Sequence, residues 1–177
     1  MDLESLRANY SSRFASHEIF MSKIHEKIAE EIKASNFKIE IYSRVKEIDS
    51  FLKKALRKKY SDPINQIKDQ VGFRLITSYQ DNLTEIDDFI QRIFSVVSFE
   101  NKLDSLDHNQ LGYLGLHYEV CLRDPLSGLD PLYNEMLFEV QVHTKAQNLW
   151  AGISHELSYK PASGNRVHPG FAMSINA

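Results

Sequence analysis

Cysteine is almost absent: Cys121 is the single one in 177 residues. That excludes an internal disulfide framework and a zinc site built on thiolates alone. Its neighbours Val120 and Leu122 predict a buried structural thiol. Long apolar runs are missing too, since none approaches the roughly 20 residues of a membrane span. The N-terminus lacks the basic-then-apolar order of a secretory signal, and the expectation is a cytoplasmic protein with no membrane partner. Neither sign of charge dominates: 21 Lys and Arg stand against 24 Asp and Glu, a net −3. Any affinity for polyanions must therefore come from a local cluster. The seven glycines form neither a Walker loop nor a dinucleotide fingerprint. A nucleophile elbow is absent. His155-Glu156 lacks the second histidine of a zinc-protease helix, and His143 with His155 has no third ligand at a persuasive spacing.

What is present is an ordinary globular composition, 42% hydrophobic, long enough for one domain with a real core. Residues 3–34 read as one amphipathic helix, with Ile19, Phe20, Ile24, Ile28 and Ile32 at helical spacing and Asn36 as its end. Phe37, Ile39 and Ile41 alternate as a short strand leading into Ser43-Arg44-Val45-Lys46. Residues 47–60 are helical again, with Ile48, Phe51, Leu52 and Leu56 inward and a basic face outward. Ser50 and Lys54 lie one turn apart on a face that Arg44 and Lys46 can join. This basic face reads equally as a solvated surface. Convergence of arginine, lysine and hydroxyl donors near a helix start favours phosphate oxygens.

Asp62 or Ser61 caps a short helix that has Pro63 in its first turn. The β-rich run Asp69 to Thr77 follows. An acid just after a helix C-terminus is unfavourably placed in the helix dipole, a weak hint that Asp69 is used. Gly72 inside a strand suggests close approach by a backbone or a ligand, and Arg74 shares its face. Residues 82–97 predict a structural helix and residues 98–104 a strand. From Gly112 the chain alternates, placing Tyr113, Gly115, His117 and Glu119 on one face and Leu114, Leu116, Tyr118 and Val120 on the other. Residues 124–133 form a hairpin-type connection.

The stretch from Phe138 to Lys160 holds the most chemistry. Strict alternation puts Glu139, Gln141 and His143 on one strand face and Phe138, Val140 and Val142 on the other. After Thr144 the period turns helical, with Ala146, Leu149, Trp150, Ile153 and Leu157 as an apolar side. Asp69 and Glu139, a basic cluster and an aromatic together supply what metal-dependent transfer on a nucleotide needs. On spacing alone, the better reading of the two acids is still ordinary surface carboxylates.

The order Arg44-x-Lys46, Ser50, Lys54, Asp69-x-x-Gly72-x-Arg74, Gly112-Tyr113-x-x-x-His117, Glu139-x-Gln141-x-x-Thr144, Trp150-Ala151 and His155-x-x-x-Tyr159-Lys160 resembles the synthetase domain of the RelA/SpoT family. The likeness covers about residues 38–160. It implies an α+β fold of nucleotidyltransferase type, a mixed β-sheet flanked by α-helices. The implied division is an N-terminal helical segment over 1–36 that packs on the domain, a synthetase domain over 37–160 and an irregular tail over 161–177 that reads as a loose end or a truncated further element. The implied reaction moves pyrophosphate from ATP to the 3′-hydroxyl of GDP or GTP, making (p)ppGpp. By position, Asp69 and Glu139 would bind magnesium (Mg2+) as the catalytic acids, with Glu139 assisting deprotonation of the acceptor. Arg44, Lys46, Ser50 and Lys54 would hold ATP phosphates, with Arg74 at the adenine side. Tyr113 would stack on the acceptor guanine, and His117, Gln141 and His143 would shape the acceptor site.

Three departures from the family pattern stand out. His143 replaces the usual arginine, exchanging a permanent cation for a group expected to titrate near neutrality. Gly115 replaces a serine, and residues 104–111 carry no lysine or arginine. No His-Asp dipeptide occurs, so nothing resembles the family's hydrolase domain and a synthetase-only chain is expected. Two alternatives stay open: a toxin-type member that modifies adenosine nucleotides or the tRNA 3′ end, and a catalytically weak nucleotide-binding regulatory module. A homo-oligomer is compatible with either.

Overall fold

A computed structural model describes residues 2–35, 37–78, 83–101 and 115–151. The chain opens with α1 (Leu3–Ala34), whose N-terminus is capped by the Asp2 carboxylate accepting from the Glu4 amide. Next come β1 (Ile39–Val45), α2 (Ile48–Lys58), α3 (Pro63–Gln66), β2 (Val71–Thr77) and α4 (Leu83–Ile93). Then follow β3 (Phe94–Asn101), β4 (Leu116–Leu122), a 3-10 turn at Pro131–Tyr133 and β5 (Phe138–Thr144). Residues 145–151 continue from β5 as helix. The junction is a capping box: Thr144 Oγ1 accepts from the Gln147 amide, and Gln147 Oε1 accepts from the Thr144 amide.

The five strands form one sheet in the order β1-β2-β5-β4-β3. Only β2 and β5 run parallel; the other pairs are antiparallel, so the sheet is mixed. Alternation gives it two unlike faces. Phe73, Leu75, Phe138, Val140, Val142, Tyr118 and Val120 point to one face and are buried against Phe20, Ile24 and Ile28 of α1 and Phe89, Ile90 and Ile93 of α4. Each such side chain contributes about 1.5–3 kcal/mol by leaving water. The opposite face carries Arg44, Gly72, Arg74, Glu139, Gln141, His117 and Glu119, and the site is built there.

A second, smaller core joins Leu6 and Tyr10 of α1 to Phe51, Leu52 and Ala55 of α2 and to Ile64 and Ile67. Phe14 packs against both cores. Hence α1 is a beam: its first half holds α2 and its second half holds the sheet. Among the described residues, no helix is long and apolar enough to cross a membrane.

Several sequence expectations need correction. Ile19 and Leu56 are exposed, because the inward stripes run through Tyr10, His17, Phe20 and Ile24 in α1 and through Phe51, Leu52 and Ala55 in α2. The helix expected over 82–97 stops at Ile93, and Phe94 enters β3 opposite Leu122. Pairing along β4 and the β-branched Val96 and Val97 outweigh the helical period there. Cys121 is half-exposed on the open face, its thiol 3.9 Å from the Ser95 carbonyl, while Val120 and Leu122 take the core side. Ala146 and Leu149 are exposed and make no apolar side with core contact. Asn36, Gly112 to Leu114, Ile153, Leu157 and the 161–177 tail lie outside the described residues.

Candidate active site

Strand register builds the site in rows. Across the open face, Arg44 pairs with Gly72 and Gly72 with Glu139, and Glu139 lies opposite Glu119. One step along, Tyr42 pairs with Arg74, Arg74 with Gln141, and Gln141 with His117. Gly72 thus separates a cation from a carboxylate with no side chain between them. A Cβ built on Gly72 would meet nothing within 4 Å, so the glycine leaves open space over the sheet. That space is part of a cavity of about 270 Å³ lined by Arg44, Asp69, Gly72, Arg74, Glu139 and Gln141, among others. A neighbouring cavity of about 250 Å³ is walled by Lys46, Ser50, Lys53, Lys54 and Arg57. Asp69 lines both and forms the partition.

The two acids are held differently. Asp69 is gripped by two ammonium groups, Lys46 Nζ at 2.8 Å and Lys54 Nζ at 2.8 Å. Burial alone would raise its pKa, but the hydrogen bonds and charges of Lys46 and Lys54 together hold the carboxyl below the usual range. Glu139 accepts from His117 Nδ1 at 3.2 Å and from Gln141 Nε2 at 2.7 Å. Here too burial pushes the pKa up, and Asp69 nearby adds to that push. The hydrogen bonds and electrostatic pull of His117 and Gln141 outweigh both, so the net direction is down. Both acids are therefore ionised at neutral pH.

A polar chain fixes the Glu139 side. Gln141 Oε1 accepts from Arg74 Nε at 3.2 Å and from Nη2 at 3.0 Å, while Arg74 Nη1 donates to Asn148 at 3.1 Å. Arg74 is thereby tied to Gln141 and Asn148. On the cation side, Tyr10 donates its hydroxyl to the Lys46 carbonyl at 2.6 Å and stacks on Phe51 at 4.0 Å between centroids. The Lys46 amide donates to the Gln70 carbonyl at 2.7 Å. The backbone carrying Lys46 is thus bound to α1, α2 and the entry to β2.

Of the residues singled out in the sequence, Arg44, Asp69, Arg74, Glu139 and Gln141 wall one cavity, and Lys46, Ser50 and Lys54 wall the next. His117 joins through Glu139. His143 departs from expectation. It is wholly buried, in the wall of neither cavity. It does not titrate near neutrality: burial, then the Arg74 and His117 charges, push it down to about 4 against a smaller opposing effect of Glu139. A Cβ on Gly115 would lie 3.0 Å from the ring atoms Cε1 and Nε2 of His143 and 3.0 Å from the Val142 carbonyl. The missing side chain at 115 is what admits the imidazole. Tyr113, His155, Tyr159 and Lys160 lie outside the described residues. Tyr42 and Asn148 went unread in the sequence. The first follows from β1 alternation with Arg44, the second from the Thr144-x-x-Gln147 capping signal that sets the next turn.

Among the described residues, no three His, Cys, Asp or Glu side chains gather as a metal cage. Two ionised carboxylates on one cavity nonetheless fit a hard divalent cation such as magnesium, which takes one or two protein carboxylates and completes its shell with water and substrate phosphate.

Residues 43–164 match the family model described as a region found in RelA / SpoT proteins. The GTP pyrophosphokinase YjbM of Bacillus subtilis (strain 168) is 33% identical over 130 residues, covering 71% of this chain and 58% of that protein. The chain therefore spans a little over half the length of that relative. The crystal structure of the small alarmone synthetase 1 from Bacillus subtilis bound to its product pppGpp superposes with a TM-score of 0.73 at 25% identity, over 90% of this chain and 84% of that one. A GTP pyrophosphokinase family protein from Streptococcus pneumoniae shares the fold, with a TM-score of 0.75 at 21% identity over 94% of this chain and 85% of that one. The chain belongs to the RelA/SpoT family, whose shared region it matches over residues 43–164.

Proposed function

We propose that the chain transfers pyrophosphate from ATP to the 3′-hydroxyl of GDP or GTP, forming (p)ppGpp and AMP. The observation that carries this reading is the partition: a cavity walled by both acids together with Arg44 and Arg74 meets a cation-walled cavity at Asp69, with Gly72 leaving the floor open between Arg44 and Glu139. A triphosphate fits the cationic side, where Lys46, Ser50 and Lys54 offer charge and hydroxyl donors, with Arg44 across the Asp69 partition and Arg74 bordering the adenine side. The acceptor belongs on the Glu139 side, shaped by Gln141 and His117, with Tyr113 as its stacking ring. His143 acts there from below, as support for the strand face. In the reaction, the acceptor 3′-oxygen forms a bond to the β-phosphorus as the bond from that phosphorus to the α–β bridging oxygen breaks. The hydroxyl proton passes to Glu139, whose carboxylate is ionised and oriented by two donors. Asp69 and Glu139 would hold magnesium, which when bound neutralises phosphate charge. Positioning and charge neutralisation supply most of the rate.

The test is incubation with magnesium and ATP labelled at the β-phosphate, offering GDP, GTP, an adenosine nucleotide or deacylated tRNA in separate reactions. Label should appear on GDP or GTP. Label only on an adenosine nucleotide or tRNA would replace the acceptor assignment, and binding without transfer to any acceptor would leave a regulatory module. Tyr113→Ala should raise the acceptor KM and leave that of ATP in place.

A further inference from the structure

Reaching Gln70, the residue after Asp69, is a cavity of about 630 Å³ formed by α1, α3 with the segment that follows it, and the connection that precedes β5. It is more than twice the volume of the cavity holding both acids. Its size is that of pockets taking small organic ligands, about 300–1,000 Å³. We propose that this cavity is a second binding site, for a small organic anion with a flat body.

The argument starts from His17. Its side chain is 3% exposed and lines the cavity, and its Nδ1 is buried with no hydrogen-bond partner among the described residues. A buried polar atom left unsatisfied costs about 1–3 kcal/mol, a cost that a ligand donor or acceptor would remove once a small rotation of the ring turns Nδ1 from its closed position toward the cavity. The imidazole is neutral at pH 7, because burial and then the charge of Arg13 push its pKa down to about 4. Arg13 stands at the cavity on the same helix, and none of the ion pairs found among the described residues engages it. Its guanidinium suits a carboxylate or a phosphate. Ile64 and Ile67 give an apolar wall and Tyr133 an aromatic one, which favours a flat body between head group and His17.

The position gives the site a lever. Gln70 lines the cavity, follows Asp69 directly and donates to the Ile64 and Ile67 carbonyls at 2.6 and 2.8 Å. Its own carbonyl accepts from the Lys46 amide. A ligand pressing on Gln70 therefore acts on the frame that holds Asp69 and Lys46. This regulatory consequence rests on the transferase reading; binding itself does not.

Histidine-labelled protein, with the His17 signals assigned through His17→Gln, would be titrated by NMR with inorganic phosphate, uridine 5′-monophosphate and salicylate separately. The expected result is a saturable shift of the His17 ring with one of the two anions that carry a flat body, at millimolar concentration or below, and none with phosphate alone. The responding probe distinguishes a phosphate from a carboxylate head group. Arg13→Ala should weaken binding about tenfold, the loss of one charge-assisted hydrogen bond. Ser16→Trp, at an exposed position lining the cavity, should abolish it by filling the space. His17 signals fixed up to about 10 mM of both organic probes, or shifts unchanged in Arg13→Ala and Ser16→Trp, would reduce the feature to a hydrated cleft and overturn the proposal. Because turnover is not the readout, failure here and failure of the transferase reading are separable.

Discussion

Asp69 and Glu139 wall the same cavity, yet their charges are met in opposite ways. Asp69 lies between two permanent cations, Lys46 and Lys54, one anchored to the β1–α2 turn and the other carried by α2. Glu139 is met by a histidine and an amide, both on the sheet. The first acid is a keystone, joining the small core that carries α2 to the sheet while sitting where substrate phosphates would contact the same lysines. The second acid is held by directional donors and, among the described residues, is paired with neither lysine nor arginine. On the proposed reading, that difference makes Glu139 the candidate for proton transfer and Asp69 the acid whose loss disturbs structure as well as rate.

The comparison breaks most visibly at Glu139. Glu139→Gln should lower transfer by about 10³-fold or more, with an unchanged far-UV spectrum, since Gln keeps the volume and can still accept from His117. Turnover close to that of the parent would remove the assignment. Asp69→Asn should also abolish most activity, but its distinguishing effect is on stability. It leaves two lysines, 10% and 25% exposed, without their shared counter-charge. Urea unfolding should show a loss of about 3 kcal/mol, against about 1 kcal/mol for Glu139→Gln. Equal losses would mean that Asp69 is no keystone.

Much of this site could be read from the chain because a strand writes its two faces into alternate residues. Alternation separated Glu139 and Gln141 from Phe138, Val140 and Val142, and the structure has them so. The bounds of α1 were legible for a similar reason, as a long amphipathic period. Contacts between distant segments were not. Lys46 and Lys54 read as phosphate ligands, and no local pattern says that α2 will also lay its lysine on Asp69. His143 read as an acceptor-site group titrating near neutrality, because the space it fills is created by Gly115, far back in the chain just before the neighbouring strand. Even the inward stripe of α1 was misjudged at Ile19, since Tyr10 and His17 are drawn in by α2 and by Tyr133 rather than by hydrophobicity alone.

The Gly115 and His143 pair sharpens the same contrast, since it lies wholly on the Glu139 side. A methyl group at 115 would press on both the His143 ring and the Val142 carbonyl at 3.0 Å. Gly115→Ala should therefore cost about 1–3 kcal/mol. In a His143→Ala background part of that cost should vanish, and the part due to the backbone carbonyl should persist. A double-mutant cycle by urea unfolding with a coupling energy near zero would show that the two departures from the family pattern are independent.

The smallest effect is the pH dependence carried by His143. Its folded pKa of about 4 lies below the unfolded value of about 6.5. Between those values the unfolded chain binds more protons than the folded one, so stability falls as the pH is lowered and the fall levels off below about 4. From pH 7 to 5.5 the cost should be about 1 kcal/mol for this histidine. His17, with the same direction and a similar value, adds its own share from the other side of the molecule. The depressed carboxyls of Asp69 and Glu139 act at lower pH: their contribution is present above the ordinary carboxylate range and is lost as the pH falls through their folded values. Thermal melting at pH 7 and 5.5 should therefore show a smaller difference in His143→Asn than in the parent, and the remainder should shrink again when His17→Gln is added. An identical pH response in all three proteins would mean that neither imidazole is held neutral by its burial, and the acid sensitivity of the fold would then belong to the carboxylates alone.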